Sequence, residues 1–508
     1  MADKLLSALD AFTYIRDKSG KLEELHSTRN ATIDAIEKMF MMDWTSPTDP
    51  ELKGLVTVSP GARNAAIGAV RLLTAADPVF SVPYDKTDKA AHKAADNVEK
   101  WCNALWYQNG RVRGKPLHYS AVLSAVLTDE IYLAVSSTAD MLASADRKNK
   151  AIYNRIERIA ATVPYVIEVM DTRTGFPEYD ALGLSSFFRK VDIKSGEILD
   201  KYGERAVASG INPLNRFDDV TLCEYWDSQL HAVWIDGKGD PIICTEHGDP
   251  CLRVVAARGG DSTLFSEDSY QSQPFLYTLY KSGMWERQNL ALTVMAASIF
   301  RYGAYPTYVT QNEGIDVDYS KLGGVVFDST NTLRMLDKKP IDQALWQFSD
   351  MLKSSEAEST LYRQTLGEPL GSNAPYSMVS LLNQAGRLPL VPIQRLGQAA
   401  FGAVMDVCLT LLKDGGKMSR VSNKSGDVMA LKPGDVEAGM IIDCKLDIDL
   451  PQDDRQNAQM VTQLAGLGFP MRWLAENFLH VGQWADMQQE AFDEKATTAM
   501  LDMTLHLL

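Results

Sequence analysis

Cysteine and histidine are scarce, six and seven among 508 residues. The cysteines stand at 102, 223, 244, 251, 408 and 444. They show no pairing pattern, which points to a reducing compartment rather than a disulfide framework. The nearest approach to a metal set is Cys244, His247 and Cys251 with Cys223 upstream. That spacing is too irregular for the two close ligand pairs of structural zinc. No apolar run is long enough to cross a bilayer. The longest, Leu290 to Phe300, is bracketed by Arg287 and Arg301. Residues 1–19 mix charge with apolar side chains and lack a signal-peptide core, so a soluble protein with no membrane partner is expected.

Recognisable catalytic chemistry is also missing. The closest match to a phosphate-cradling loop, Gly110-Arg-Val-Arg-Gly-Lys-Pro116, is one residue short and puts proline where a hydroxyl should meet magnesium. It reads as a basic loop. There is no H-E-x-x-H helix and no G-x-S-x-G elbow, and no pair of carboxylates stands out by spacing. The expectation is a protein that is not an enzyme and uses no cofactor or metal. An unrecognised hydrolase built on the β-rich region remains the alternative.

What is present is an ordinary globular composition, 45% hydrophobic and 23% charged, long enough for two to four domain-sized units. The net charge is -15. A protein that wraps DNA tightly would need a basic face, so this balance instead suits a surface that lets DNA pass. From Leu446 to Leu508 ten Asp or Glu stand against three Lys or Arg, a tail that reads as a solvated helical surface. The strongest basic cluster is Arg147, Lys148, Lys150, Arg155 and Arg158. It is either a solvated helix face or a contact for DNA or an acidic partner.

The chain shows no internal repeat. Periodicity predicts helices over Asp34–Met42, Gly61–Ala76, Ala90–Trp106, Leu117–Thr128 and Asn149–Thr162, with a strand at Ile131–Val135. From Pro164 the pattern turns β-rich. Runs at 165–170, 220–226, 231–235, 241–244 and 252–257, divided by Gly- and Asp-bearing turns, predict one antiparallel meander. A helix follows from Gln273 to about Tyr302, in which Leu290 to Phe300 is apolar nearly all round. Such a segment is buried on every side, in a core or between subunits. A short β-rich insertion (Ala304–Pro340) comes next, then a helix from Ile341 to Leu366 that Gly367 stops. After a Gly/Pro loop, Pro375 opens a long helix to about Leu412, which Pro389 and Pro392 should kink or interrupt. A strand (Met440–Leu450) and a helical tail from Pro451 complete the order.

That order, an α+β chain in which two helices carry a small insertion, resembles the portal proteins of tailed bacteriophages. Local stretches share the likeness. Arg71-Leu-Leu-Thr-Ala-Ala-Asp-Pro-Val-Phe-Ser-Val-Pro is similar to an early portal helix that ends in an extended segment. Val166-Ile-Glu-Val-Met-Asp-Thr-Arg-Thr-Gly-Phe-Pro-Glu-Tyr-Asp is similar to the strand and turn that follow. Asn289-Leu with Tyr302-Gly-Ala-Tyr-Pro-Thr-Tyr, and Leu450-Pro-Gln-Asp-Asp-Arg-Gln-Asn-Ala-Gln-Met-Val with Leu467-Gly-Phe-Pro, complete it. Phe469-Pro470 departs from the serine cap often found there.

The resemblance implies a portal fold: a helical and β wing (1–272), a first stem helix (273–303), a clip (304–340) and a second stem helix (341–366). A tunnel loop (367–374), a long kinked helix with a return strand (375–450) and a helical crown (451–508) follow. It implies a homo-oligomeric ring, typically a dodecamer, at one capsid vertex of a virion assembled in the host cytoplasm. The partners would be the terminase large subunit, a head-completion adaptor, major capsid and scaffolding proteins, and double-stranded DNA in the channel. Gly367, Glu368, Gly371, Ser372 and Asn373 would form the tunnel loop. Asp350, Lys353, Glu356, Glu358 and Arg363 are candidates to line the channel. Leu290, Val294, Met295 and Ile299 are candidates for the stem interface between subunits. A virion or scaffold ring without a DNA channel is the second reading.

Overall fold

The computed structural model describes residues 8–45, 55–84, 89–144, 150–259, 263–266, 269–299, 308–309, 334–335, 343–360, 388–424, 426–437, 440–446 and 461–466, with Gly468, Met471 and Leu474. The chain divides into two compact units, Met1–Arg71 with Phe80–Cys444, and Leu72–Val79 with Lys445–Leu508. Within the second unit residues 461–466 are helical.

The first part of the chain is helical: α1 (Ala8–Leu25), α2 (Ser27–Met41), α3 (Gly61–Leu73), α4 (Lys89–Arg113) and α5 (Leu117–Thr128), with strand β1 (Val79–Ser81) between α3 and α4. Next come β2 (Glu130–Ser137), α6 (Thr138–Ser144), α7 (Lys150–Ala160), β3 (Tyr165–Met170), β4 (Gly175–Asp180) and β5 (Gly183–Lys194). Two short helices, α8 (Ser195–Tyr202) and α9 (Glu204–Ala208), lead to β6 (Asp219–Asp227), β7 (Leu230–Ile235), β8 (Ile243–Glu246) and β9 (Val254–Arg258). Strands β10 (Thr263–Ser266) and β11 (Ser269–Gln271) precede α10 (Tyr277–Lys281) and α11 (Met284–Ile299). The rest is β12 (Tyr308–Val309), β13 (Arg334–Met335), α12 (Gln343–Ser359), α13 (Val391–Gly415), β14 (Ser419–Ser422), β15 (Val428–Leu431) and β16 (Asp443–Lys445). The fold is α+β, as expected.

The β-rich region is two sheets rather than one meander. Strands β4 to β8 pair in sequence order, all antiparallel. The runs at 165–170 and 252–257 leave that series and flank β2 in a separate three-stranded sheet, order β3-β2-β9. The five-stranded sheet is covered on both faces. Alternate side chains Phe188, Cys223, Tyr225 and Trp234 pack with Phe12, Ile15 and Leu22 of α1. Their neighbours point the other way, where Phe187 meets Tyr132 and Val254 of the smaller sheet. Further along that face Leu222, Val233 and Ile235 meet Ile198 and Ala206 of α8 and α9.

Helix α5 buries Leu117, Ala121, Val122, Ala125 and Val126, the three-to-four spacing of one apolar face. It ends where Asp129 turns left-handed (φ 58), a conformation that aspartate tolerates better than most residues. Helix α13 is the core helix. It is long and apolar enough to cross a membrane, but most of its apolar stretch is buried within the protein, and it packs on β2, β9 and α5. It starts where the prolines were expected to act: Leu388–Leu390 is a 3₁₀ turn, and Pro392 occupies the first helical turn. Proline fits there because that turn has no hydrogen bond to lose. A Cβ on Gly402 would lie 2.7 Å from the Ile442 carbonyl oxygen, so the 440–444 segment rests directly on the helix backbone.

Candidate functional site

The helix expected from Gln273 to Tyr302 is divided. Residues Tyr277–Lys281 form α10, and Gly283 (φ 64) breaks the chain before α11. Helix α11 packs against α12. Between them the insertion is closed by an antiparallel pair, Tyr308 opposite Met335 and Val309 opposite Arg334.

The polarity of this helix pair is mixed: Trp285, Ala291, Met295 and Leu352 are buried and Glu286, Arg287, Gln347 and Asp350 exposed, but polar side chains are also buried and large apolar ones exposed. Its inward side chains include Gln288, Asn289 and Thr293 of α11, and Ser349 and Glu356 of α12. Its outward side chains include Leu290 (44% exposed), Ile299 (46%), Trp346 (46%), Phe348 (39%) and Met351 (56%). The polar interior has an explanation. An extended segment, residues 55–60, lies against α11 and makes hydrogen bonds to side chains there instead of to a strand. The Ser59 N–H donates to Asn289 Oδ1 at 2.8 Å, and the Thr57 N–H donates to Thr293 Oγ1 at 3.1 Å. Gln288 Nε2 donates to Glu356 Oε2 at 3.0 Å. A Cβ on Gly61, the first residue of α3, would sit 2.0 Å from Glu356 Oε1. These hydrogen bonds register the helix pair against residues 55–61, although Gln288 Oε1 and Asn289 Nδ2 make none among the described residues.

The apolar exterior has no such explanation among the described residues. A helix expected to be buried on every side is buried only in part. Of the proposed interface residues, Leu290 and Ile299 are exposed, on opposite sides of α11, Val294 is half-buried and Met295 is buried. Of the proposed channel residues, Asp350 is exposed and lies 3.8 Å from the half-buried Lys353. Glu356 is only 9% exposed and held by Gln288 inside the subunit. The side chain of Glu358 lies outside the described residues, as do Arg363, Gly367, Glu368, Gly371, Ser372 and Asn373. Trp346, Phe348 and Met351 were not singled out in sequence, where attention fell on the acids beside them. Their signal is a run of large apolar side chains from Leu345 to Leu352, broken by Gln347, Ser349 and Asp350.

A second feature is a cleft of about 510 Å³ between the two sheets and α8. Its charges are matched to one another. Burial alone would raise the Glu224 carboxyl. Lys201 at 3.3 Å and Arg189 at 3.7 Å nevertheless hold it below the usual range. His231 stacks flat on Trp226, and burial lowers its pKa to about 4, so it is a neutral ring at pH 7. Arg253 is clamped by Asp249 and Asp140. Among the described residues no three His, Cys, Asp or Glu side chains converge as metal ligands. His247 is engaged otherwise, its Nε2 lying 2.7 Å from the Asp227 carbonyl.

No family model matches the chain, and no curated protein matches it. Among solved structures, a chain from the neck of an empty GTA particle, computed with C6 symmetry, is similar. The match has 10% identity and a TM-score of 0.40, over 83% of this chain and 91% of the other. The likeness is coarse.

Proposed function

We propose that this chain is the subunit of a portal-type ring in a tailed-phage-like particle, with the outer face of α11 and α12 as the contact between neighbours. The observation that carries this reading is the number of large apolar side chains that the helix pair exposes, Leu290, Ile299, Trp346, Phe348 and Met351. Large apolar side chains left exposed in numbers point to an interaction surface. In a cyclic ring each subunit offers two different faces, and the contact is satisfied all round once the rotation closes.

The remaining features agree with that role. An insertion carried at the end of two helices, followed by a long core helix, is the element order of the portal resemblance. The net charge of -15 suits a passage that duplex DNA traverses without being gripped, because tight binding would need many phosphate-neutralising cations. The ring would sit at a capsid vertex as a passive channel. Its insertion would dock the terminase large subunit during packaging and a head-completion adaptor afterwards. The loop from Gly367 to Asn373 would reach the channel, and twelve subunits would complete the ring.

Electron microscopy of the purified full chain tests this directly. Rings with a central hole wide enough for duplex DNA are the expected result. Rings without a hole would point to a different virion or scaffold component, and a chain that stays monomeric at every soluble concentration would overturn the proposal.

A further inference from the structure

Helix α7 (Lys150–Ala160) lies apart from the helix pair and carries an unusual distribution of charge. At about 3.6 residues per turn, Lys150, Asn154, Arg155 and Arg158 share one side of it. Tyr153, Ile156 and Ile159 share the other and are partly buried, with α7 seated on α6. The four polar side chains are exposed. None of the three cations makes an ion pair among the described residues. Arg113, Arg173, Arg189, Arg216 and Arg253 of the same unit behave differently, each lying against a carboxylate. The only acid on α7 is Glu157, at the margin of the cationic side.

From this we infer that the outer side of α7 is a contact for the phosphate backbone of duplex DNA, separate from any channel. The ligand must be anionic, since three exposed cations on one side of a helix repel one another and gain most from a run of negative charge. Two kinds of anionic macromolecule could supply it. A docked acidic protein needs apolar or aromatic anchors at the centre of the contact, and this side of α7 offers none. A duplex needs only cations at intervals. From Lys150 to Arg158 the helix spans about 12 Å, over which a duplex presents roughly seven phosphate charges. On a chain of net charge -15 such a patch would bind weakly, without sequence preference, and would orient the duplex toward one spot.

The test is fluorescence anisotropy of a labelled random-sequence duplex with the full chain, titrated at several salt concentrations. The comparison is the triple variant K150Q/R155Q/R158Q. Each phosphate contact contributes about -0.9 to the slope of log affinity against log salt. The variant should therefore have a slope shallower by about 2.7 and bind more weakly at low salt. A control variant, R16Q/K21Q/K38Q, removes the same charge from exposed positions on α1 and α2 and should keep the wild-type slope. All three proteins should melt alike, because every substituted side chain is at the surface. Equal slopes for the α7 variant and wild type would overturn the inference, as would equal losses in both variants or no binding by wild type at low salt. Binding of a poly-glutamate peptide through α7 in place of DNA would do the same, and would identify an acidic polypeptide as the ligand. Ring formation is read separately, so failure of either proposal leaves the other standing.

Discussion

Arg29 is fully buried on α2 and touches four groups in three places of the first unit. Its guanidinium donates to Glu130 Oε2 at 3.2 Å, to the Tyr132 hydroxyl at 2.7 Å, and to the carbonyls of Thr172 and Gly175 at 3.1 and 2.8 Å. Tyr132 in turn donates to Glu130. Removing one partner of a buried ion pair strands the other charge, at a cost of about 3 to 5 kcal/mol. Arg29→Met should therefore lose stability on that scale in denaturant unfolding, with α2 detached from the β2 sheet. Asp406 behaves in the opposite sense. Burial, with repulsion from Asp443, pushes its carboxyl up to about 6 despite a bond from the Ile442 backbone. Unfolded, the group titrates near about 3.9. Between these values the folded chain holds a proton that the unfolded chain has lost. The stabilisation is thus complete below about pH 4 and is lost as pH rises through about 6. Asp406→Asn should be more stable than wild type by about 1 kcal/mol at neutral pH, the half-exposed carboxyl being partly screened. Melting curves of the two proteins should converge near about pH 4.

Among the elements, α5 and β3 carry their own signatures, a three-to-four apolar spacing and a compact β-branched run, and they lie where the sequence places them. Strand β5 is the contrary case. Phe187 and Phe188 are both buried, one on each face of the sheet. A strand covered on both faces loses the alternation by which it would be read. Helix α1 was missed for a related reason. Its apolar positions acquire meaning only when the far-off β5 to β7 surface is in place to receive Phe12, Ile15 and Leu22. Close approach between elements is equally silent in sequence. Gly402 looks like a defect in α13, yet it admits the Ile442 carbonyl. Gly402→Ala gains about 1 kcal/mol of helix propensity, and overpacking costs about 1 to 3 kcal/mol. A net drop in melting temperature is expected, together with faster amide exchange across residues 440–444.

For the molecule as a whole, the outer face of α11 and α12 was half legible. The all-round apolar stretch in α11 predicts burial beyond one side, and within the subunit Leu290 and Ile299 are left exposed. The exposed apolar residues of α12 were hidden because Trp346, Phe348 and Met351 are interspersed with polar residues. Which acids face inward, as Glu356 does, depends on contacts with residues 55–61 that lie far away in sequence. If that face joins subunits, stability becomes a property of concentration, since assembly draws on the folded chain. The wild-type melting temperature should rise with protein concentration in differential scanning calorimetry. The double variant L290E/W346E, altered only at exposed positions, should melt at one temperature throughout and elute as a monomer.

The pairing of Tyr308 with Met335 and Val309 with Arg334 has a consequence for how such a chain diversifies. The pair holds residues 308–309 and 334–335 about 5 Å apart. Residues 310–333 can therefore be lengthened, shortened or exchanged without separating the two strands that flank them. The insertion is in effect an interchangeable cassette on a fixed bracket. Selection can change it while the packing of the two helices stays as it is.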